Sequence, residues 1–407
     1  MISQSGNTGK NQVLWAKVVG LAAVQGAIAL LWVIYNLYLV DLLGRLGFPP
    51  ALAAGLLVVE NLLAIVMEPL MGSLSDRLQR QLGTRFPLIS LGVILTASSF
   101  IALPTIALSG LEAASRWLLP VTAVAWALAM TMFRSPALSL LGRYAFGTRL
   151  PQAASILTLV GGVAGAMGPL ASQILLGWGP LMTFAVGSGV LLVATVALRV
   201  CDSAQATVTA TEPAGTAIAS PPVDWLRLAL VFGAGVGVTL GFRMLMLLFS
   251  SAVNSRIPDA SKSLVLGSIF ISLALTAIPA GVVALRLGNR RAMVLGLAGM
   301  ACVCVLVSMV HHSSWAIGLA WMFGATFSLV SNGTIPFALS MVPAPKAGLG
   351  TGIFFSGASA ASSLFGAMTS QIQALPASLG AGLGVLALLL AGVCIAYVPR
   401  RIASAHS

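Results

Sequence analysis

Long apolar runs are the feature of this sequence that most constrains its fold. Each run is about 20 residues long, which is the length that a helix needs to cross a hydrocarbon core of ~30 Å. The runs lack the alternation of apolar and polar residues that membrane β-strands show, so helices are expected. The runs lie at 13–40, 51–72, 86–109, 117–142, 152–177, 180–200, 225–250, 263–286, 291–311, 314–341, 347–371 and 376–398. The sequence therefore predicts an all-α membrane protein with twelve transmembrane helices.

Composition argues against the soluble classes of protein. Hydrophobic residues make up 58% of the 407 residues and charged residues only 7%, whereas a soluble domain is about 25% charged. The net charge of +12 comes mainly from basic residues in short gaps between the apolar runs, so nucleic-acid binding is not expected. With a cytoplasmic N-terminus, fifteen basic residues fall in inside loops and tails and four in outside loops. This bias predicts a protein of the cytoplasmic (inner) membrane with both termini cytoplasmic.

The chain also divides into two similar halves. Segment 202–222 is rich in Ala, Thr, Ser and Pro, which predicts a cytoplasmic linker between an N-terminal six-helix bundle (1–201) and a C-terminal one (223–407). The stretch GAMGPLASQI of the fifth run returns as GAMTSQI in the eleventh, and SPALSL of the fourth run resembles IPFALSM in the tenth. Echoes in the same order indicate a duplicated six-helix unit.

The loop after the second run carries a motif of a known family. The stretch GSLSDRLQRQLGTR, which begins at Gly72, is similar to the G-x-L-x-D-R loop of the major facilitator superfamily. This resemblance implies two six-helix bundles, transport by alternating access, and a cytoplasmic gate formed by Gly72, Asp76 and Arg77. An ordinary solvated loop is the alternative interpretation. In the second half Leu285 stands in the place of the aspartate, so a matching contact is not expected there.

A closer resemblance begins at the second glutamate of the second run. EPLMGSLSD, followed by LGTRFPLISLG, is similar to the D-P-x-x-G and G-[RK]-x-[RK]-P patterns of the glycoside-pentoside-hexuronide cation symporters and the related sucrose transporters. In that family the acid of the first pattern binds the coupling cation, which implies this role for Glu68. Sodium-coupled members have another acid on the fourth span, where this chain has Arg134. Since a guanidinium opposes a second cation, protons are the expected coupling ion.

Four ionisable residues lie inside apolar runs, where charged groups usually form ion pairs, contact water or have a function. Glu68 and Arg134 come to similar depth, which predicts an ion pair, and the resemblance implies that this pair couples transport to protons. A glutamate that reaches cytoplasmic water is the alternative for Glu68. Glu60 is turned roughly 80° away from the face of Asn61 and Glu68 and is the second candidate proton carrier. Arg243 either binds an anionic or polyhydroxyl substrate or extends to the outer surface.

Aromatic, amide and cationic side chains suggest where a solute would bind. In the first run, Trp32, Tyr35 and Asn36 recur on one helix face, which suits a carbohydrate, although an interfacial aromatic belt is the alternative. Residues of the tenth run are candidates for the opposite wall, with ordinary packing as the alternative. The predicted substrate-binding residues are Trp32, Tyr35, Asn36, Asn61, Arg243, Trp321 and Asn332.

The sequence signals no chemistry beyond transport. It has no Gly-rich phosphate loop and no metal-ligand spacing among its four cysteines, so no enzyme, cofactor or metal is expected. The predicted function is secondary active transport, a proton-coupled symport of a sugar or glycoside. The expected partners of this monomeric chain are the solute, protons and the lipid bilayer. One alternative is a proton-driven exporter of amphipathic compounds, and another is a non-transporting scaffold or assembly factor.

Overall fold

The computed structural model describes residues 13–110, 115–203, 224–256 and 261–397, and these residues form helices and short connections. The long helices are α1 (Trp15–Arg45), α2 (Pro50–Leu82), α3 (Phe86–Leu108), α4 (Leu118–Ser139), α5 (Leu150–Gly177), α6 (Pro180–Ser203), α7 (Trp225–Arg256), α8 (Lys262–Leu287), α9 (Asn289–Val307), α10 (Ser313–Ser340), α11 (Ala347–Ala367) and α12 (Ala377–Ala396). Short helical segments occur at Ser115–Trp117, Leu141–Tyr144, Gly147–Arg149, Ala344–Lys346 and Thr369–Gln373. The predicted all-α class is confirmed.

Eleven helices in the described part of the chain are long and apolar enough to cross a membrane, judged by length and composition. The chain is therefore an integral membrane protein. Twelve spans were predicted, and the one at 347–371 is not among these eleven. Helix α11 forms there, but it ends at Ala367 and lies outside the set of candidate spans.

The sequence of α11 explains this difference. Its residues AGLGTGIFFSGASAASSLFGA include many glycines, serines and alanines in place of larger apolar side chains. Most of these small residues are buried, and α11 packs closely against α2 and α7. Small residues let helix backbones approach one another. α11 therefore has the composition of a helix that faces other helices more than lipid.

Buried apolar side chains form two clusters. One draws on residues between 13 and 198 together with Ile335, and the other on residues between 231 and 395. Helix α6 continues through Asp202 to Ser203, two residues into the predicted linker, and Lys17 Nζ lies 3.1 Å from Asp202 Oδ1. The rest of that linker, up to residue 222, lies outside the described residues, as do the chain's first twelve and last ten residues, where the cytoplasmic termini were predicted.

The most extensive contacts between the early and late parts of the chain are those of two helix pairs, α2 with α11 and α5 with α8. In the first pair the backbones touch, since a Cβ atom at Gly72 would overlap the carbonyl oxygen of Gly348. In the second pair a Cβ atom at Gly162 would lie 3.0 Å from the backbone nitrogen of Ala274. Glycine is required where backbones approach this closely. The α2 and α11 contact positions the site described next.

Candidate functional site

A cavity of about 540 Å³ lies between α1, α2, α4, α7 and α11. We call it the polar cavity. Its lining residues are Trp32, Asn36, Ala54, Leu57, Asn61, Arg134, Arg243, Phe355, Ala358, Ser359, Ser362, Phe365, Gly366 and Thr369. Two guanidinium groups, two amides and several aromatic rings therefore face one space. A cavity with an apolar lining and a few polar groups suits a small ligand.

Glu68 and Arg134 form an ion pair at the edge of this cavity. Arg134 Nε donates to Glu68 Oε1 at 2.9 Å, and Arg134 Nη2 donates to the same oxygen. Ser135 Oγ donates to the other oxygen, Oε2. The Glu68 side chain is fully buried, whereas that of Arg134 is 17% exposed. Arg134 thus lies between the buried carboxylate of Glu68 and the cavity. Its guanidinium is 4.6 Å from the centre of the Phe355 ring.

Pro69 explains part of the contact between α2 and α11 beside this pair. Proline has no backbone N–H, so the carbonyl oxygen of Ile65, one turn earlier, loses its helical donor. Ser356 of α11 donates its hydroxyl to that oxygen at 2.5 Å. Further along the same two helices, Ser363 donates to the carbonyl oxygen of Val58 at 3.2 Å. α11 therefore satisfies acceptors of α2 as well as packing against it.

Glu60 is also buried, but its surroundings are different. The Tyr35 hydroxyl of α1 donates to Glu60 Oε1, while Oε2 has no hydrogen-bond partner among the described residues. Tyr35 packs against Trp32 and Trp126, with ring centroids 5.9 and 4.3 Å away. Asn61, the next residue along α2, lines the polar cavity, whereas Glu60 does not. The carboxyl group of Glu60 faces α1 and an aromatic cluster.

Arg243 lines the same cavity from α7. Its Nε donates to Ser362 Oγ of α11 at 3.1 Å, and its guanidinium lies 5.8 Å from the centre of the Phe365 ring. Among the ion pairs of the described residues, none includes Arg243. A half-buried cation without a carboxylate partner is available to a ligand in the cavity.

Asp76, at the other end of α2, joins that helix to the N-terminus of α11. Its Oδ1 accepts from the backbone N–H of Gly348 at 2.9 Å, and its Oδ2 accepts from Leu349 N–H at 2.8 Å. Arg85 Nη2 donates to Asp76 Oδ1 at 2.7 Å. The first N–H groups of a helix have no partner within it and favour an anion. Asp76 supplies that anion from α2.

Arg85 completes this contact, and Arg77 does not. Arg77 is exposed, whereas Arg85 is only 3% exposed and also donates to Ser139 of α4. Burial lowers the pKa of Arg85 from its ordinary value, and the Asp76 carboxylate opposes that shift. The sequence offered a signal, because Arg85 is part of the LGTRFP pattern, but the gate prediction named Arg77. Gly72 and Asp76, the other two residues of the gate prediction, both lie at this contact.

The structure brings together some of the predicted substrate-binding residues and separates others. Trp32, Asn36, Asn61 and Arg243 line the polar cavity. Tyr35 is instead buried against Glu60.

The two candidates of the tenth predicted span lie elsewhere, on α10. Asn332 is fully buried and donates to the carbonyl oxygen of Ala277 at 2.7 Å. Trp321 is 41% exposed, and its carbonyl oxygen accepts from Ser272. Neither residue lines the polar cavity. The α11 residues that line the cavity, among them Phe355 and Ser362, had no signal in the sequence because phenylalanine and serine are common in membrane helices.

No model of a known protein family matches the chain, and no curated protein is significantly similar to it. Among the described residues, no group of three or more His, Cys, Asp and Glu side chains is placed to hold a metal ion.

Proposed function

We propose that this protein is a secondary active transporter of the major facilitator type, with two six-helix bundles that rock around the polar cavity. The observation that carries the proposal is the cavity itself, because helices from both halves of the chain line it and it contains ionisable groups. Charged residues at membrane depth mark solute and ion pathways. Secondary transporters bind their solutes near the interface of their repeats.

The contact at Asp76 supports alternating access. It joins α2, from the first half, to the N-terminus of α11, from the second half, through two backbone N–H groups. Rocking of the two halves has to break these hydrogen bonds on one side of the cavity. In this proposal Asp76, Arg85 and Gly72 form the cytoplasmic gate, and their contacts hold it closed. Both chain termini and the linker lie on the same, cytoplasmic side in this proposal.

The pair of Glu68 and Arg134 supports coupling to protons. Glu68 is dry, while Arg134 borders the cavity, so a change in the cavity can separate the two groups. When the pair is broken, the buried carboxylate favours a proton because an unpaired charge there is costly. Alternation between an ion-paired and a protonated glutamate would couple proton movement to solute movement. The amides and aromatic rings of the cavity suit a sugar or glycoside.

Transport in proteoliposomes tests this function. A pH gradient, alkaline inside, should drive accumulation of a labelled solute from a panel of sugars and glycosides, and a sodium gradient should not. Glu68→Gln should abolish accumulation and leave downhill exchange. Outward movement of an amphipathic dye would favour the exporter, and absence of flux of every solute would favour the scaffold.

Topology is tested separately by cysteine labelling. A cysteine introduced in the segment 204–223 should react with an impermeant reagent only after cells are opened. Labelling in intact cells would contradict the proposed orientation.

A further inference from the structure

The polar cavity contains more positive than negative charge. Arg134 and Arg243 both line it, and Glu68 pairs with the first of them. Arg243 contacts the hydroxyl of Ser362 and the ring of Phe365 but belongs to no ion pair among the described residues. The group of two arginines and one glutamate therefore carries one net positive charge when Glu68 is ionised.

Proton binding changes this balance. Of the charged side chains in the described residues, Arg134 of α4 is the one seen to contact the Glu68 carboxylate, and Ser135 of α4 donates to its other oxygen. Gly352 of α11 packs against the backbone carbonyl of Glu68. A proton on Glu68 removes the negative charge and leaves both guanidiniums without a carboxylate. Loading a neutral sugar together with the proton would thus place two uncompensated cations around one cavity. Interactions between like charges are strong where water is scarce.

A solute that carries a carboxylate removes this difficulty. Its negative charge enters as the proton neutralises Glu68, so the net charge around the cavity stays the same. Arginine binds carboxylates through two parallel N–H groups, and Arg134 already uses Nε and Nη2 on a carboxylate oxygen. The solute can therefore take over the place of Glu68 at Arg134.

We infer that the polar cavity binds a monoanionic solute with a carboxylate group, held between Arg134 and Arg243 and carried together with one proton. The inference rests on the proposed transport function and narrows its solute class. The apolar part of the solute would contact Trp32, Phe355 and Phe365, which line the same space. Two features follow that a neutral sugar would not give. Transport is electroneutral, and the solute competes with Glu68 for Arg134.

The test uses matched acid and neutral probes with the full chain in proteoliposomes. Labelled lactobionate is compared with lactose, and N-acetyltyrosine with its amide. A pH gradient without membrane potential should accumulate at least one acid probe. A membrane potential, negative inside and imposed by potassium and valinomycin without a pH gradient, should accumulate none of the four.

Arginine variants test the site itself. Arg243→Gln should lower uptake of the acid probe at least tenfold, and Arg243→Lys should retain part of it because the charge remains. Arg227→Gln is the matched control, since Arg227 lies on the same helix, pairs with Asp224 at 3.5 Å and is not part of the cavity. Uptake by this control should equal that of the unchanged protein. The comparison of acid and neutral probes uses the unchanged protein, so its result does not depend on whether a variant folds.

Three results would overturn the inference. Accumulation of lactose driven by membrane potential would refute it and leave the proposed transport function standing. Acid uptake that Arg243→Gln does not change would remove Arg243 from the site. Absence of uptake of all four probes would count against both the inference and the proposed function.

Discussion

Glu60 and Glu68 lie on the same helix, eight residues apart, and are compensated in different ways. Glu68 is fully buried and accepts hydrogen bonds from Arg134 and Ser135 on both oxygens. Glu60 is 3% exposed and accepts one hydrogen bond, from Tyr35, with no cation beside it in the described residues. A buried carboxylate needs a positive partner, whereas a neutral carboxyl group needs only hydrogen bonds. We therefore expect Glu68 to be ionised and Glu60 to be neutral in this state.

A third acid on α2 extends the comparison. Asp76, eight residues after Glu68, receives Arg85 and two backbone N–H groups of α11. Compensation therefore increases along α2, from the aromatic cluster around Tyr35 to the contact with α11. The two acids with cationic partners are those proposed to act in the transport cycle. Glu60 instead contributes to the packing of α1 against α2, through its hydrogen bond with Tyr35.

Removal of Arg134 should have the largest effect on stability. Arg134→Gln leaves the buried Glu68 carboxylate without its cation, and breaking a buried pair in this way costs about 3–5 kcal/mol. Glu68→Gln should cost less, because the remaining guanidinium borders the cavity and its side chain is 17% exposed. Unfolding of the purified protein in mixed detergent micelles measures both.

The double variant, Glu68→Gln with Arg134→Gln, is the control for that prediction. It should be more stable than Arg134→Gln alone, since no unpaired buried charge remains. If the double variant is the least stable of the three, the attraction within the ion pair stabilises the protein by more than the burial of its two charges costs.

Asp76→Asn should have the next largest effect, on the contact between α2 and α11. An amide cannot accept from all three donors, and each hydrogen bond to a charged group contributes about 1.5–3 kcal/mol. The contact should open more often, and a cysteine placed at Ser139, behind Arg85, should react faster with a small thiol reagent. Arg77→Gln is the matched control, because Arg77 is adjacent in sequence but exposed. Equal reaction rates for Asp76→Asn and the unchanged protein would mean that this contact does not hold the two helices together.

The helices and the pair of Glu68 and Arg134 could be predicted from the sequence, whereas for the other contacts only one side could. Helix periodicity puts Glu60 and Asn61 on different faces of one continuous helix, and the structure places Asn61 on the cavity and Glu60 against Tyr35. The pairing of Glu68 with Arg134 followed from similar depth on two spans. Such inferences need only the rise and rotation of a helix.

The partners that sequence reasoning missed depend on the register between helices. Only the packed structure shows that Ser362 and Phe355 of α11 contact the two arginines of the cavity. The same holds for Tyr35 as the donor to Glu60. Arg85 was missed because it lies after the end of α2 and folds back toward Asp76. No periodicity along one segment fixes these distances. They follow from small residues, such as Gly72 and Gly348, that let two backbones meet.

Tyr35→Phe should have a smaller effect and reports the charge state of Glu60. It removes the donor to Glu60, which costs about 1 kcal/mol for a neutral acceptor and roughly 1.5–3 kcal/mol for a charged one. Tyr38→Phe is the matched control, since Tyr38 is buried on the same helix and donates to the neutral carbonyl oxygen of Leu175 at 2.7 Å. Similar losses of unfolding free energy in the two variants are expected. A clearly larger loss for Tyr35→Phe would indicate that Glu60 is ionised.

Glu60→Gln should have the smallest effect, and it separates the roles of the two glutamates. Glutamine keeps the shape and neutrality expected of the Glu60 carboxyl group and can still accept from the Tyr35 hydroxyl. The loss of unfolding free energy should therefore stay below about 1 kcal/mol, and the variant should still accumulate solute under a pH gradient. Glu68→Gln, measured in the same vesicles, should not. If instead Glu60→Gln loses accumulation while Glu68→Gln keeps it, Glu60 carries the proton, and the pair of Glu68 and Arg134 only holds α2 against α4.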